Sequence, residues 1–151
     1  MAIYFTKEFG FQHEEDGVVI PEGAREISES TFRQLFQQQG MGLVIVQDEK
    51  GGPIAVEPGP TPVHHWSGSS WEADPDELLE FLGASAESTR KHLLSIAAGF
   101  ISPLQDAYDL EQATEDEIAS LKAWRLYRVE LSRLDQQPGW PSDIQWPKSP
   151  S

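Results

Sequence analysis

Apolar positions in this chain follow two different periods, and the change comes near residue 75. Before it they fall in short runs. Ile3 to Phe5 and Phe9 to Gln12 read as β-like pieces broken at Gly10. Glu14, Glu15, Asp16 and Gly17 read as a turn, and Val18 to Ile20 as a strand ended by Pro21. Ser28 suits the cap of a short helix whose apolar face is Phe32, Leu35 and Phe36, with Gly40 to close it. Leu43 to Val46 is the clearest strand, short and apolar between Gly42 and Asp48. DEKGG then turns the chain, and Pro53 to Val56 returns as the hairpin partner. Pro53 has no N–H to give a ladder, so it belongs at a strand start or a sheet edge. An apolar strand with no polar alternation predicts cover on both faces.

Beyond Asp74 the apolar residues step by three and four. Asp74 can cap a helix with Pro75 at its first position, and Leu78, Leu79 and Leu82 give its face up to Gly83. A second helix is predicted from Ser85 to Phe100, with Leu93, Leu94, Ile96, Ala97 and Phe100 apolar. Pro103 should kink or break it, and Leu104, Ala107, Tyr108 and Leu110 continue a helical face to Glu111. After a turn at Gln112 and Ala113, Thr114 and Glu117 have the spacing of a capping box. Glu115, Asp116 and Glu117 oppose the positive end of the helix dipole, and Lys122, Arg125, Arg128 and Arg133 follow towards its negative end. Ile118, Leu121, Trp124, Tyr127, Leu131 and Leu134 form one stripe. Leu126 and Val129 lie off it, and a helix apolar over so wide an arc is usually covered on more than one side.

Past Leu134, Pro138, Pro141 and Pro147 stop the helix, and Trp140 and Trp146 each precede a proline, which favours extended backbone. Two indoles on so short a tail must fold back on the helix or bind another molecule. The expected architecture is therefore α+β. A small N-terminal β-sheet module with one short helix spans 1–57. A Pro/Gly/Ser-rich linker spans 58–74. A C-terminal helical hairpin with an extended Trp-Pro tail spans 75–151, since short connections make helices antiparallel neighbours. Within the linker, Val63 to Trp66 and Ser70 to Glu72 can pair over Ser67 and Gly68. Trp66 and Trp71 then either anchor this small turn or stack on a sugar, which makes a carbohydrate-binding module the alternative reading.

Composition narrows the chemistry. The chain has 151 residues and no cysteine, so a disulfide framework, a thiol nucleophile and Cys-ligated zinc are excluded. MAIYFTKEFG lacks the basic start and apolar run of a signal peptide, and no apolar run approaches the ~20 residues of a membrane span. A soluble cytoplasmic protein is the default expectation. The formal charge of −14 is uneven: residues 1–80 carry 4 basic and 15 acidic side chains, residues 81–151 carry 7 and 10. Such a surface repels phosphate backbones, though it would suit a basic partner or a nucleic-acid mimic. His64 and His65 are adjacent, so in a strand they point to opposite faces and cannot share a metal. His92 sits on a helix beside Lys91. No HExxH, GxSxG or phosphate-binding glycine loop occurs, so no catalytic residue, metal site or cofactor is expected. What remains is recognition. Trp, Tyr and Arg, the residue types favoured at interfaces, concentrate in the last helix and tail. Trp124 and Leu131 also read as core, and Trp140 and Trp146 suit packing and partner contact equally.

ISPLQDAYDL, EQATEDEIASLKAWRLYRVELSRLD and DIQWP resemble the C-terminal signature of the tail fibre assembly proteins of tailed bacteriophages. The residues that carry the resemblance are Leu104, Gln105, Asp106, Ala107, Ala113, Thr114, Trp124, Tyr127, Arg128, Trp146 and Pro147. IPEGAREIS to VIVQDEKGGPI is similar to the front end of many members. The middle departs: HHWSGSSWEADP stands where members often carry a plain proline-rich linker. The resemblance implies a chaperone and not an enzyme, acting in the host bacterial cytoplasm, in some members staying on the fibre tip. It would bind the C-terminal region of a trimeric tail fibre protein and assist its folding and trimerisation. It implies key positions at Trp124, Tyr127, Arg128, Trp146 and Pro147; Trp140 and Ile144 of the tail join them as candidate partner-binding residues.

Overall fold

A computed structural model describes residues 2–14, 17 and 19–150. Contacts divide the chain into two compact units that meet in sequence between Asp74 and Pro75. With small antiparallel sheets and long helices, the class is α+β.

The first unit is assembled from short antiparallel pairs. β1 (Ile3–Thr6) lies between β2 (Gly10–His13) and β3 (Arg25–Ile27). Its register sets Ile3 opposite His13 and Ile27, and Phe5 opposite Phe11 and Arg25. Period-two alternation puts Ile3, Phe5, Phe11, His13 and Ile27 on one face. α1 (Glu29–Gly40) packs on that face through Phe32, whose ring meets Phe11 edge-on at 5.1 Å and His13 at 5.2 Å. Ser28 caps α1 as its position implied, its side chain accepting from the Thr31 N–H at 3.1 Å. Gly40 is the last helical residue, and the positive φ of 97° that reverses the chain falls on Gly42.

The same helix packs on β4 (Val44–Gln47) and β5 (Pro53–Val56), paired antiparallel as their pattern implied. Asp48 organises their turn by accepting from the N–H groups of Lys50 at 2.9 Å and Gly52 at 2.7 Å. The expected single sheet is corrected: β4 and β5 form a sheet separate from β1–β3, and β4 is half-buried along its whole length. Strand positions shift too. Gly10 opens β2 instead of breaking it, in the left-handed region that the turn requires. The turn expected at Glu14–Gly17 includes Glu15 and Asp16, and the strand expected at Val18–Ile20 includes Val18; these three lie outside the described residues. Val19 and Ile20 form no strand. The third strand is β3, whose Arg25 donates to the Lys50 carbonyl in the β4–β5 turn at 2.6 Å.

The third sheet pairs β6 (His65–Trp66) with β7 (Trp71–Glu72), closed over Ser67–Ser70. Its indoles tie it to the rest of the first unit. Trp66 donates to the Gln47 carbonyl and Trp71 to the Glu57 carbonyl, both at 2.9 Å. Trp71 also lies against Gly59, where an added Cβ would stand 3.0 Å from its ring.

In the second unit, one helix replaces the two or three segments expected. α2 (Pro75–Asp109) runs unbroken through Gly83 and Pro103. Gly83 keeps a helical backbone, and it passes close to Pro141. Pro103 deprives the Gly99 carbonyl of its partner, but both residues are exposed, so water can take the bond. Proline inside a helix costs about 3 kcal/mol, which burial of Ala97, Ile101 and Leu104 around it offsets. α2 ends in a Schellman motif. Glu111 adopts φ 55°, its N–H donates to Tyr108, and the Gln112 N–H reaches the Ala107 carbonyl at 2.9 Å.

α3 (Glu115–Ser132) then returns along α2. The capping box forms: the Glu117 N–H donates to Thr114 Oγ1 at 3.3 Å and the Thr114 N–H to Glu117 Oε2 at 2.8 Å. α2 is roughly 50 Å long and α3 roughly 27 Å, so α3 can cover only the later half of α2. The core there is Ala97, Ile101, Leu121, Trp124, Tyr127 and Leu131, closed by Leu134 in a 3-10 turn. The earlier half of α2 is met by the tail. Residues 141–144 and Trp146 lie along Leu82, Ser85, Ala86 and Thr89. The tail is thus not simply extended. It turns at 138–142, with a cis peptide bond between Trp140 and Pro141, and continues from Ile144 to Pro150 without helix or strand. Gln137 holds this part as a strand partner would, accepting from the Gln145 N–H at 2.9 Å and donating to its carbonyl at 3.0 Å.

Candidate protein-docking surface

α2 and α3 set the aromatic residues of the second unit in contact. Phe100 lies flat on Trp124, ring centroids 4.3 Å apart and planes 8° from parallel, and Tyr127 meets Trp124 edge-on at 5.8 Å. Trp124 and Tyr127 are buried, whereas Phe100 keeps 51% of its surface exposed. Phe100 forms the floor of an open groove of about 500 Å³ with Ile96, Pro103, Leu104, Ser120 and Trp124 around it, and Ser149 and Pro150 at one border. The helical spacing of 96, 100, 103 and 104 places these residues side by side.

The seven positions singled out in the sequence separate into two groups. Trp124 and Tyr127 are core; Trp140 and Ile144 are half-buried and packed against that core. Arg128, Trp146 and Pro147 reach the surface, Trp146 with 38% exposure. Pro147 borders a shallow depression with Glu130, Leu134, Gln137 and Lys148. The Asp135 carboxylate faces Arg90 at 3.6 Å, and Arg90 also pairs with Glu87 at 2.7 Å and sits 5.7 Å over the Trp140 ring. Arg90 thereby joins α2, the 3-10 turn and the tail, a role that an unremarkable arginine on a helix did not advertise. Phe100 was missed as a surface residue because its spacing is that of a core face. The signal was the extra breadth of that face, with Ile96, Phe100 and Pro103 beside the Ala97 and Ile101 line.

A second apolar surface lies on the outside of α3, where Ile118, Leu126 and Val129 are all exposed, Leu126 at 59%. The second cover expected for this helix is not provided by the unit itself. In the first unit, by contrast, Trp66 and Trp71 pack edge-to-face at 5.5 Å with both N–H groups committed to backbone carbonyls. Neither keeps a free indole N–H for a sugar hydroxyl. Among the described residues no three His, Asp or Glu are grouped to hold a metal, and no helix is long and apolar enough to cross a membrane.

Comparison with known proteins agrees with the C-terminal pattern and extends it over the chain. A family model described as Caudovirales tail fibre assembly protein, lambda gpK, matches residues 2–151. Protein TfaD of Escherichia coli K12 is 31% identical over 92% of this chain and 80% of its own length. The probable tail fiber assembly protein of Shigella phage SfV is 36% identical over 97% of this chain and 76% of its own. The tail fiber assembly protein of Escherichia phage lambda is 44% identical over 56% of this chain, a stretch that is 43% of that protein. No solved structure matches. The chain belongs to the tail fibre assembly protein family of the tailed bacteriophages.

Proposed function

We propose that this chain is an assembly chaperone that binds the C-terminal region of a trimeric phage tail fibre protein in the host bacterial cytoplasm and assists its folding and trimerisation. The observation that carries the reading is the exposure of large apolar side chains on the second unit, Phe100, Tyr108, Leu110, Leu126 and Val129 among them, in a chain of a fibre assembly family. Exposed apolar side chains of this size, some in the groove at Phe100 and others on the outside of α3, mark interaction sites. A fibre end exposes strand edges and apolar seams until three chains meet, and both invite aggregation. A binder that covers them prevents wrong pairing without any bond being made or broken, so recognition is the whole task. Arg128, Trp146 and Pro147 are the proposed direct contacts. Trp124, Tyr127, Trp140 and Ile144 hold the surface in shape from beneath.

The test is co-expression of a fibre C-terminal fragment with and without this chain, followed by light scattering on the soluble fraction. The expected result is a soluble trimer only in the presence of the chain, and co-elution of the two. A fibre fragment that is soluble and trimeric alone, with no co-elution, would falsify the proposal. Retention on the finished fibre tip extends the same reading and is checked by mass spectrometry of purified particles.

A further inference from the structure

The outside of α3 differs in kind from the groove at Phe100. Ile118, Lys122, Leu126, Val129 and Arg133 recur at steps of four, four, three and four, so they lie in one line along the helix. That line runs opposite the buried one through Leu121, Trp124 and Leu131, so Ile118, 43% exposed, leaves the stripe expected for it. All five side chains are exposed. Between Ile118 and Arg133 there are four cations, Lys122, Arg125, Arg128 and Arg133, and one acid, Glu130. The chain has 11 basic residues in all and a net charge of −14, so this helix gathers over a third of its cations into a local positive field. Arg125 is engaged by Gln105. Lys122, Arg128 and Arg133 enter no ion pair among the described residues, although acids outnumber bases 25 to 11 in the sequence.

From this we infer that the outer face of α3 docks a segment of the fibre client that carries carboxylates beside apolar side chains. The inference rests on the proposed chaperone role and names the chemistry that the client must present. Ile118, Leu126 and Val129 supply the apolar contact, and burial of these already half-exposed side chains supplies affinity. Lys122 and Arg133, on the same line, select for acid and steer its approach, an effect read mainly in the association rate.

The experiment uses the full chain and a purified trimeric fibre C-terminal fragment, with binding rates measured at low and high salt. Leu126→Asp is expected to weaken binding at least tenfold, mostly through faster dissociation. Lys122→Glu with Arg133→Glu is expected to slow association about tenfold and to flatten its salt dependence. The altered positions are exposed, and circular dichroism verifies that each variant keeps its helix content. Binding within twofold of the wild type in both variants overturns the inference while leaving the chaperone role standing. So does a dimer of the chain alone that Leu126→Asp dissociates, because the face then belongs to a second copy. Absence of wild-type binding removes the chaperone role, and this inference with it.

Discussion

The two units of this chain reach stability by opposite routes. The first has three small antiparallel sheets and one helix, and among the described residues its buried apolar side chains are few: Ile3, Phe5 and Leu35. Its parts are joined by single directed contacts. Arg25 reaches the Lys50 carbonyl, and the indoles of Trp66 and Trp71 reach backbone carbonyls in and just after the β4–β5 pair. The second unit has one contiguous core running through both helices into the 3-10 turn. Non-directional burial tolerates poor local sequence, which is how α2 carries both Gly83 and Pro103. Directed contacts do not. The lesson is that the second unit keeps apolar residues such as Phe100 and Leu126 at the surface beside a continuous core, whereas the first exposes Phe9, Phe36 and Met41 around only a few buried apolar side chains.

The largest effect that separates the units is core truncation. Leu131 is fully buried at the centre of the helical core, and Leu131→Ala is expected to cost about 2–5 kcal/mol. Hydrogen exchange should show the loss of protection confined to residues beyond Pro75. Equal loss in β1–β3 would mean that the units unfold as one. Next comes Gly139→Ala. A Cβ at Gly139 would lie 2.0 Å from the Asp143 carbonyl oxygen, and that carbonyl belongs to backbone, which cannot swing aside. Overpacking of this kind costs about 1–3 kcal/mol, and it should release the tail from α2 before the helices melt. Trp fluorescence, with Trp140 the reporter nearest the turn, follows that release. An unchanged urea midpoint would show that the turn rearranges freely.

How far the sequence led depended on the same distinction. α1, the β4–β5 hairpin and the α3 capping box were legible because each rests on local chemistry: Ser28, Asp48 with its glycines, and the Thr114–Glu117 spacing. β3 was hidden because Arg25 and Glu26 give it no apolar pattern; its pairing with β1 is a tertiary fact. The breaks expected at Gly83 and Pro103 failed because propensity lost to burial against α3 and the tail. Trp124 and Tyr127 were flagged for a partner, yet their stripe position already placed them inside. The groove at Phe100 could not be read without knowing how far α3 reaches along α2.

A smaller effect tests the join between the helices. Glu111 holds a left-handed backbone that glycine adopts without strain. Glu111→Gly is expected to raise the stability of the second unit by up to about 1 kcal/mol, less whatever the added freedom of the unfolded chain takes back. A urea midpoint below that of the wild type would mean that the Glu111 side chain contributes more than its backbone geometry costs.

The smallest expected effect is electrostatic and has a counterpart in each unit. Hydrogen bonding from Ser67, then Ser70, with the charge of His65 adding less, lowers the pKa of Glu72; hydrogen bonding from the backbone N–H of Thr114, then from its hydroxyl, lowers that of Glu117. A carboxyl whose pKa is depressed by folding adds stability above its unfolded pKa, and that stability fades as pH falls through the folded value. Each unit should therefore weaken on acidification below the ordinary glutamate range, the first through the β6–β7 turn and the second through the start of α3. The donors differ in kind, and that difference can be tested. Ser67→Ala with Ser70→Ala removes both hydroxyl donors to Glu72 and should return its pKa towards the ordinary value. Thr114→Ala removes only the lesser donor to Glu117, because the backbone N–H stays, so that pKa should move part of the way. Carbon-detected titration of the two carboxyls reads both shifts. If Glu117 returned fully in Thr114→Ala, the helix start would owe its charge to the side chain and not to the orphan amide, and the order of the two causes would be reversed.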